Sequence, residues 1–282
     1  EFGYGWAVNK SYASMSQPYY ANLTAYPAPW SGGTKGLKTA PVFLLESYDS
    51  LYIAKNADKI KGRIIMYKTM DTVIRSSFKP ESSRYTDSQL TNMKDQHMFS
   101  KEMLNMFLPG ILKQMKAFKQ IQQAGALAIV EMTREQGDGA VFVDGYGGWK
   151  KKDQPALAML IMLKEDYLKI QRLLKGGSPV SLDIDIKTTF YADDLKSYNV
   201  VAEIAGTDPT LKAEVVMLGG HLDSWQSATG ATDNGAGCIA TMEAIRILKT
   251  LGIKPKRTIR IALWSGEEQG LLGSFGYVKN HF

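Results

Sequence analysis

The chain has 282 residues, a net charge of +6, 44% hydrophobic residues and 22% charged residues. This length suits about two domains, and the composition is that of a soluble globular protein with a sizeable core. The lysines are scattered apart from a short run at 150–152, which we interpret as a solvated loop, and no apolar stretch reaches the roughly 18 to 20 residues that span a bilayer. We therefore predict neither a nucleic-acid partner nor a membrane span.

Cys238 is the only cysteine, so an intramolecular disulfide is excluded and the redox compartment is left open. The sequence starts at Glu1 without a methionine or an apolar leader, and it stops at Phe282 without a helix stop signal. We expect both ends to be cut from a longer protein.

The first stretch, residues 1–36, is rich in aromatic residues, proline and glycine. Such a composition favours extended chain and loops. We predict an N-terminal segment of this extent that packs on the domain formed by residues 191–282.

Residues 37–190 form the second predicted unit. Strands are indicated at 41–45, 64–67, 126–130 and 180–186, where apolar residues run together or alternate. Apolar spacing indicates helices at 101–123, divided at Pro109-Gly110, and at 165–174. This unit is predicted to be a strand-rich domain with few helices.

A different order follows in residues 191–282. Strands are indicated at 200–204, 215–218 and 258–264, and an amphipathic helix is indicated at 237–251. Because a strand, a helix and a strand follow one another, we predict a βαβ unit and an α/β fold.

Polar side chains follow the strands of this last unit. His221 and Asp223 come after one strand, Asp233 precedes the helix, and Glu267 and Glu268 follow the next strand. Ligands of α/β sheets bind beyond the carboxyl ends of the strands. Four carboxylates gathered there would repel one another without a cation, and nitrogen with oxygen ligands suits zinc, or cobalt or manganese as substitutes.

Each group also has a plainer interpretation. His221 could be a core histidine, Asp233 could cap the following helix, and Glu267 with Glu268 could form a solvated acidic turn. The three segments together favour a metal site, because Asp-Asn-Gly-Ala-Gly at 233–237 also combines a carboxylate with glycines that permit close backbone approach.

Three motifs resemble one known family: Gly-Gly-His-Leu-Asp-Ser-Trp at 219–225, Asp-Asn-Gly-Ala-Gly at 233–237, and Trp-Ser-Gly-Glu-Glu-Gln-Gly at 264–270. They are similar to the zinc exopeptidase family of bacterial leucyl aminopeptidases and glutamate carboxypeptidases. The spacings of 12 residues from His221 to Asp233 and of 34 from Asp233 to Glu267 match as well. The stretch at 254–258 resembles the carboxypeptidase Q branch.

The resemblance implies a role for each site residue. His221 and Glu268 would each bind one of two Zn²⁺ ions, Asp233 would bind both, Asp223 would orient His221, and Glu267 would be the general base. The family's pattern includes a further aspartate and a distant histidine. No aspartate is present among the fourteen residues after Glu268, so the resemblance implies an incomplete metal site in this chain.

The resemblance also extends to the whole protein. Residues 37–190 resemble the protease-associated domain inserted in several members, and 191–282 resemble the first part of the catalytic domain. A secreted or periplasmic metallopeptidase acting on small peptides or dipeptides is implied, with aminopeptidase, carboxypeptidase and dipeptidase left open. The oligomeric state, a homodimer included, is also left open. The alternative is a non-catalytic binding homologue with the peptidase fold.

Overall fold

The computed structural model describes residues 2–70, 83–93, 101–134, 139–144, 147–153 and 156–282. The strands are β1 (Gly5–Gln17), β2 (Ala21–Asn22), β3 (Ala25–Pro27), β4 (Lys38–Leu45), β5 (Ile64–Tyr67), β6 (Ala128–Met132), β7 (Ala158–Met162), β8 (Ser181–Tyr191), β9 (Val200–Ile204), β10 (Val215–His221) and β11 (Thr258–Trp264). The helices are α1 (Ser50–Lys55), α2 (Ala57–Ile60), α3 (Asp87–Asn92), α4 (Lys101–Gln123), α5 (Lys164–Lys175), α6 (Gly237–Thr250) and α7 (Leu272–His281), with a 3₁₀ turn at Lys151–Asp153.

These strands form two sheets. The larger sheet has eight strands in the order β2-β1-β8-β4-β5-β6-β7-β3, with parallel pairing from β4 to β7 and antiparallel pairing elsewhere. The smaller sheet has the order β10-β11-β9. The predicted α/β class is therefore confirmed, with helices flanking a mixed sheet.

The larger sheet is buried on both faces, which explains the continuous apolar runs of its parallel strands. Ile64 and Met66 contribute to one buried cluster together with residues of α5 and β8. Ile65 and Tyr67 point to the opposite face, where they join residues of α1, α2 and α4. Because its side chains alternate between the two faces, β5 contributes to both buried clusters.

Helix α4 is a single helix with Pro109 inside it, so the predicted division at Pro109-Gly110 is wrong. Residues 105–113 are exposed, whereas Ala117 and Ile121 are buried against the larger sheet. A proline in a helix frees one carbonyl group and crowds the preceding turn. Because this half of α4 is exposed, water can satisfy the freed carbonyl group.

The N-terminal segment is more regular than its composition suggests. Strand β1 pairs with β8 over almost its whole length, from Gly5 with Tyr191 to Gln17 with Ser181. Extended chain was expected here, but its pairing was not, because the partner strand lies more than 160 residues away, beyond the reach of local patterns. The segment thus contributes strands to the larger sheet, while Phe2 also reaches residues 191–282 by donating its backbone N–H to the Leu195 carbonyl.

The smaller sheet follows the predicted order of strand, helix and strand. Strands β10 and β11 are parallel, with α6 between them in the chain, and β9 lies antiparallel to β11. The parallel arrangement brings the carboxyl ends of β10 and β11 to the same edge. In the part of the chain that is described, no helix combines the length and the apolar character needed to cross a membrane.

Candidate metal centre

His221 is the last residue of β10 and lies opposite Trp264, the last residue of β11. Two glycines immediately before it allow close packing. A Cβ atom at Gly219 would lie 1.9 Å from the Ala262 carbonyl oxygen, and one at Gly220 would lie 3.1 Å from the Cys238 backbone nitrogen. The Gly-Gly pair therefore lets β10 approach both its neighbouring strand and α6, which fixes the position of His221.

Asp233 lies in an irregular turn, Ala231–Ala236, that leads directly into α6. Its own backbone is not helical, with φ −114° and ψ 96°, and the Asp233–Asn234 peptide bond is cis. The side chain of Asn234 accepts the Gly237 backbone N–H at 3.0 Å. Since Asn234 satisfies the donor at the start of the helix, the carboxylate of Asp233 is left to face His221.

The two glutamates follow a tight turn after β11. Gly266 has a φ of +64°, a conformation that L side chains rarely adopt. The carboxylate of Asp223 then accepts the backbone N–H groups of Glu267 and Glu268, each at 3.1 Å. The chain has thus left the strand at Gly266, and both glutamates can reach the same edge of the sheet.

The three residues proposed as metal ligands converge. One ligand atom from each of His221, Asp233 and Glu268 lies within 4.8 Å of the other two. The Nε2 atom of His221 lies 2.9 Å from an Asp233 oxygen and 3.6 Å from a Glu267 oxygen. All four side chains therefore share one small region beyond β10 and β11.

The imidazole of His221 is oriented by the backbone of Asp223. Its Nδ1 atom lies 3.0 Å from the Asp223 carbonyl oxygen, whereas the Asp223 carboxylate is 3.7 Å away. A carbonyl group only accepts, so Nδ1 carries a hydrogen, and Nε2 faces the Asp233 carboxylate at 2.9 Å. A carboxylate also only accepts, so Nε2 donates to Asp233 when the imidazole is protonated, and it is the nitrogen that would bind a metal ion once that proton is lost. The expected orientation thus comes from the carbonyl group rather than from the carboxylate.

The charges in this region are unbalanced. Burial raises the pKa of Glu268, and the negative charges of Asp233 and Glu267 raise it further. Burial acts against protonation of His221, but the Asp223 carbonyl group and the carboxylates of Glu267, Asp223 and Asp233 outweigh it and raise the pKa of the imidazole. An excess of carboxylates around one imidazole fits a cation, and this set of nitrogen and oxygen donors is one that zinc accepts.

Two supporting residues were not predicted from the sequence. The Cys238 thiol donates to the His221 carbonyl oxygen at 3.0 Å. The side chain of Asn199 accepts the Ser265 backbone N–H at 3.1 Å and donates to the Gly273 carbonyl oxygen at 2.9 Å, which closes the turn that carries the glutamates. Only the position of Asn199 just before β9 could have drawn attention to it, since its partners lie 66 and 74 residues away.

Comparison with known proteins extends these observations. Residues 199–282 match the model of Peptidase family M28. Carboxypeptidase Q of Mus musculus is 27% identical over 278 residues, which cover 98% of this chain and 51% of the mouse protein. The chain spans about half the length, or less, of the curated relatives it matches.

Solved structures show the same fold. A Peptidase M28 precursor from Shewanella amazonensis SB2B superposes with a TM-score of 0.68 at 23% identity, covering the whole chain and 57% of that protein. BSAP, a zinc aminopeptidase from Bacillus subtilis, superposes with a TM-score of 0.57 at 18% identity, covering 99% of the chain and 54% of that protein. The chain therefore has the fold of these M28 peptidases, and its residues 199–282 carry the segment that relates it to Peptidase family M28.

Proposed function

We propose that the whole protein is a metal-dependent exopeptidase that hydrolyses a terminal peptide bond of small peptides or dipeptides. The observation that carries this proposal is the convergence of His221, Asp233 and Glu268 within 4.8 Å, with Glu267 beside them. Similarity to M28 peptidases and to carboxypeptidase Q supports it. Residues 221–268 supply ligands from three separate segments, as a metal centre at a sheet edge requires.

Each residue has a proposed role. His221 and Asp233 would hold one Zn²⁺ ion, Asp233 and Glu268 would hold a second, and Co²⁺ or Mn²⁺ would serve as substitutes. When bound, zinc would polarise the scissile carbonyl group and lower the pKa of water towards about 7. Asp223 would keep His221 in its ligand tautomer through the backbone carbonyl group, and would keep the glutamates in place through its carboxylate.

Glu267 is the proposed general base. Its carboxylate lies near the ligands without being one of the three closest, and about a third of it is exposed to solvent, at 34%. A carboxylate in this position can take a proton from the attacking water and pass it to the leaving amine. Glu268, one residue later, faces Asp233 instead, which separates the base from the ligand.

The test uses the full-length protein. We expect Glu267→Gln to lower kcat on a dipeptide by roughly 10²- to 10⁴-fold, because the amide keeps the shape but cannot accept the proton. Zinc content, measured by mass spectrometry, should stay unchanged. Glu203 is an exposed glutamate on β9 that pairs with Arg260 on β11. Glu203→Gln is therefore the matched control and should retain full activity. Full turnover in Glu267→Gln would refute the role of the base.

The alternative is a non-catalytic homologue that uses the peptidase fold for binding. Glu267 argues against it, since a binding protein has no need of a base next to the ligands. Purified full-length protein with bound zinc but no hydrolysis of any free, N-blocked or C-amidated dipeptide would favour this alternative. The same three substrates separate dipeptidase, carboxypeptidase and aminopeptidase activities, because each blocking group removes one charged terminus that the enzyme would recognise.

A further inference from the structure

Four aromatic side chains meet where the two sheets approach each other. This aromatic cluster consists of Phe2, Trp30, Trp149 and Trp225. Ring centroids lie 6.0 Å apart for Phe2 and Trp30, 5.7 Å for Trp30 and Trp149, and 6.4 Å for Trp30 and Trp225. Aromatic pairs at such distances contribute more than their buried area alone.

The cluster is anchored in the part of the chain that forms the larger sheet. Trp30 is only 3% exposed and donates its Nε1–H to the Tyr4 carbonyl oxygen at 2.7 Å. Its backbone has a φ of +56°, which is uncommon for a bulky residue and persists only where the surroundings hold it. Gly147 packs directly on this residue, since a Cβ atom there would lie 2.1 Å from the Trp30 carbonyl oxygen.

Trp225 makes the first contact between the aromatic cluster and a segment next to the proposed metal ligands. This residue lies in the loop between His221 and Asp233, four positions after the histidine. Its ring meets that of Trp30 edge to face, with an interplanar angle of 77°. The loop that joins two proposed ligands is thus held against Trp30, a buried residue in the turn that follows β3.

The second contact is made by Phe2. A Cβ atom at Gly266 would lie 3.2 Å from two carbon atoms of the Phe2 ring. Gly266 is the residue directly before Glu267, and its positive φ forms the turn after β11. The same cluster therefore touches the loop that joins His221 to Asp233, through Trp225, and the turn that leads to Glu267 and Glu268, through Phe2.

We propose that the aromatic cluster is a positioning device, in which Phe2 and Trp225 hold the 222–230 loop and the 265–268 turn at the separation that metal binding requires. The proposal rests on the proposed metal centre. A simpler interpretation is that the cluster only joins the two sheets. That interpretation explains the contacts with Trp30, but it gives no reason why the ring contacts of Trp225 and Phe2 fall on the two segments that adjoin the proposed ligands.

The experiment compares two variants with a matched control in the full-length protein. Trp225→Leu and Phe2→Ala each remove one contact, whereas Phe118→Ala removes a half-buried ring on α4 that packs near Tyr67 and is not part of the aromatic cluster. Zinc affinity is measured by competition with a chromophoric chelator, and stability is measured by urea unfolding. Groups that orient metal ligands typically change metal affinity by 10- to 100-fold, so we expect at least about ten-fold weaker zinc binding in both variants.

Phe118→Ala should lower stability and leave zinc affinity unchanged. Trp225→Phe, which keeps an aromatic ring against Trp30, should restore most of the affinity that Trp225→Leu loses. Unchanged zinc affinity in Trp225→Leu and Phe2→Ala would overturn the proposal and leave the cluster as a simple contact between sheets.

Hydrogen exchange on the zinc-free protein provides a readout that does not depend on metal. Both variants should speed exchange in 222–230 and in 265–268, while β10 stays protected. If the wild-type protein binds no zinc but both variants still exchange faster than it in these segments, the metal centre is refuted and the positioning of the segments is retained. Exchange that changes at neither segment would refute the positioning even if the enzyme proves active.

Discussion

The two sheets differ in how completely their strands are covered. In the larger sheet, β5 and β7 are buried along their whole length, and two apolar clusters lie on opposite faces. In the smaller sheet the described buried cluster contains only Cys238, Ile261 and Leu263, and β9 and most of β10 are partly or fully exposed. The larger sheet therefore supplies stability, whereas the smaller one supplies the proposed chemistry and depends on hydrogen bonds and close backbone contacts.

The largest effect should come from removing a buried side chain of the larger sheet. Ile64 is fully buried, and Ile64→Ala should lower the free energy of unfolding by about 2 to 5 kcal/mol because a cavity remains. Ile239 on α6 is 69% exposed, so Ile239→Ala should change the free energy of unfolding by less than about 0.5 kcal/mol. Urea unfolding followed by circular dichroism measures both. Equal losses at the two positions would contradict the comparison.

A smaller loss of stability should follow from adding a methyl group at Gly219, where β10 and β11 of the smaller sheet pack closely. Gly219→Ala would place a Cβ atom 1.9 Å from the Ala262 carbonyl oxygen, so β10 must move away from β11. We expect a cost of about 1 to 3 kcal/mol, as for other overpacked sites.

Gly276→Ala is the matched control, since a Cβ atom there meets no heavy atom within 4 Å in helix α7. It should stabilise the protein by about 0.5 to 1 kcal/mol, because alanine loses less conformational entropy than glycine in a helix. A neutral Gly219→Ala would show that β10 is not constrained at this point.

Removing the carboxylate of Asp223 should have a moderate effect. Asp223→Ala leaves the backbone N–H groups of Glu267 and Glu268 without their acceptor, which costs about 1 kcal/mol by analogy with helix caps. The loss of one negative charge beside three other carboxylates offsets part of this cost. Asp223→Asn keeps an acceptor oxygen and should fall between the wild type and Asp223→Ala in urea unfolding.

The smallest effects on stability should come from exposed ion pairs, and they should be equal beside the larger and the smaller sheet. Lys68 pairs with Glu46 beside the larger sheet, and Arg257 pairs with Glu214 beside the smaller one. Both pairs are solvent-exposed, so Lys68→Gln and Arg257→Gln should each change the unfolding free energy by less than about 1 kcal/mol. A clearly larger loss of stability for Arg257→Gln would mean that charge pairing, rather than burial, stabilises the smaller sheet.

The sequence was informative where local patterns decide the structure. Strands β5 and β11 were predicted with the bounds that the structure shows, and α6 was predicted to within one residue, because each has a clear apolar pattern bounded by glycine or charged residues. The ligand-bearing segments were recognised for a related reason. Parallel strands with a connecting helix bring their carboxyl ends together, so polar residues that follow them must meet.

Long-range pairing and side-chain support were not predictable in this way. Strand β1 depends on β8, and no local signal distinguishes it from an extended loop. The carbonyl group of Asp223, rather than its carboxylate, orients His221, and sequence patterns carry no information about which of two oxygen-bearing groups will be nearer. The division 37–190 and 191–282 remains a prediction about domains.

The outer strands of the smaller sheet have a practical consequence for handling the protein. Strands β9 and β10 each pair on one side with β11, and neither is paired on its other side with another strand of the described chain. Val200 on β9 and Val216 on β10 are more than half exposed, at 55% and 51%. Unpaired apolar strand edges act as templates for intermolecular pairing. Samples of this chain should therefore self-associate through the outer edges of β9 and β10, and low concentration during purification should favour the monomer.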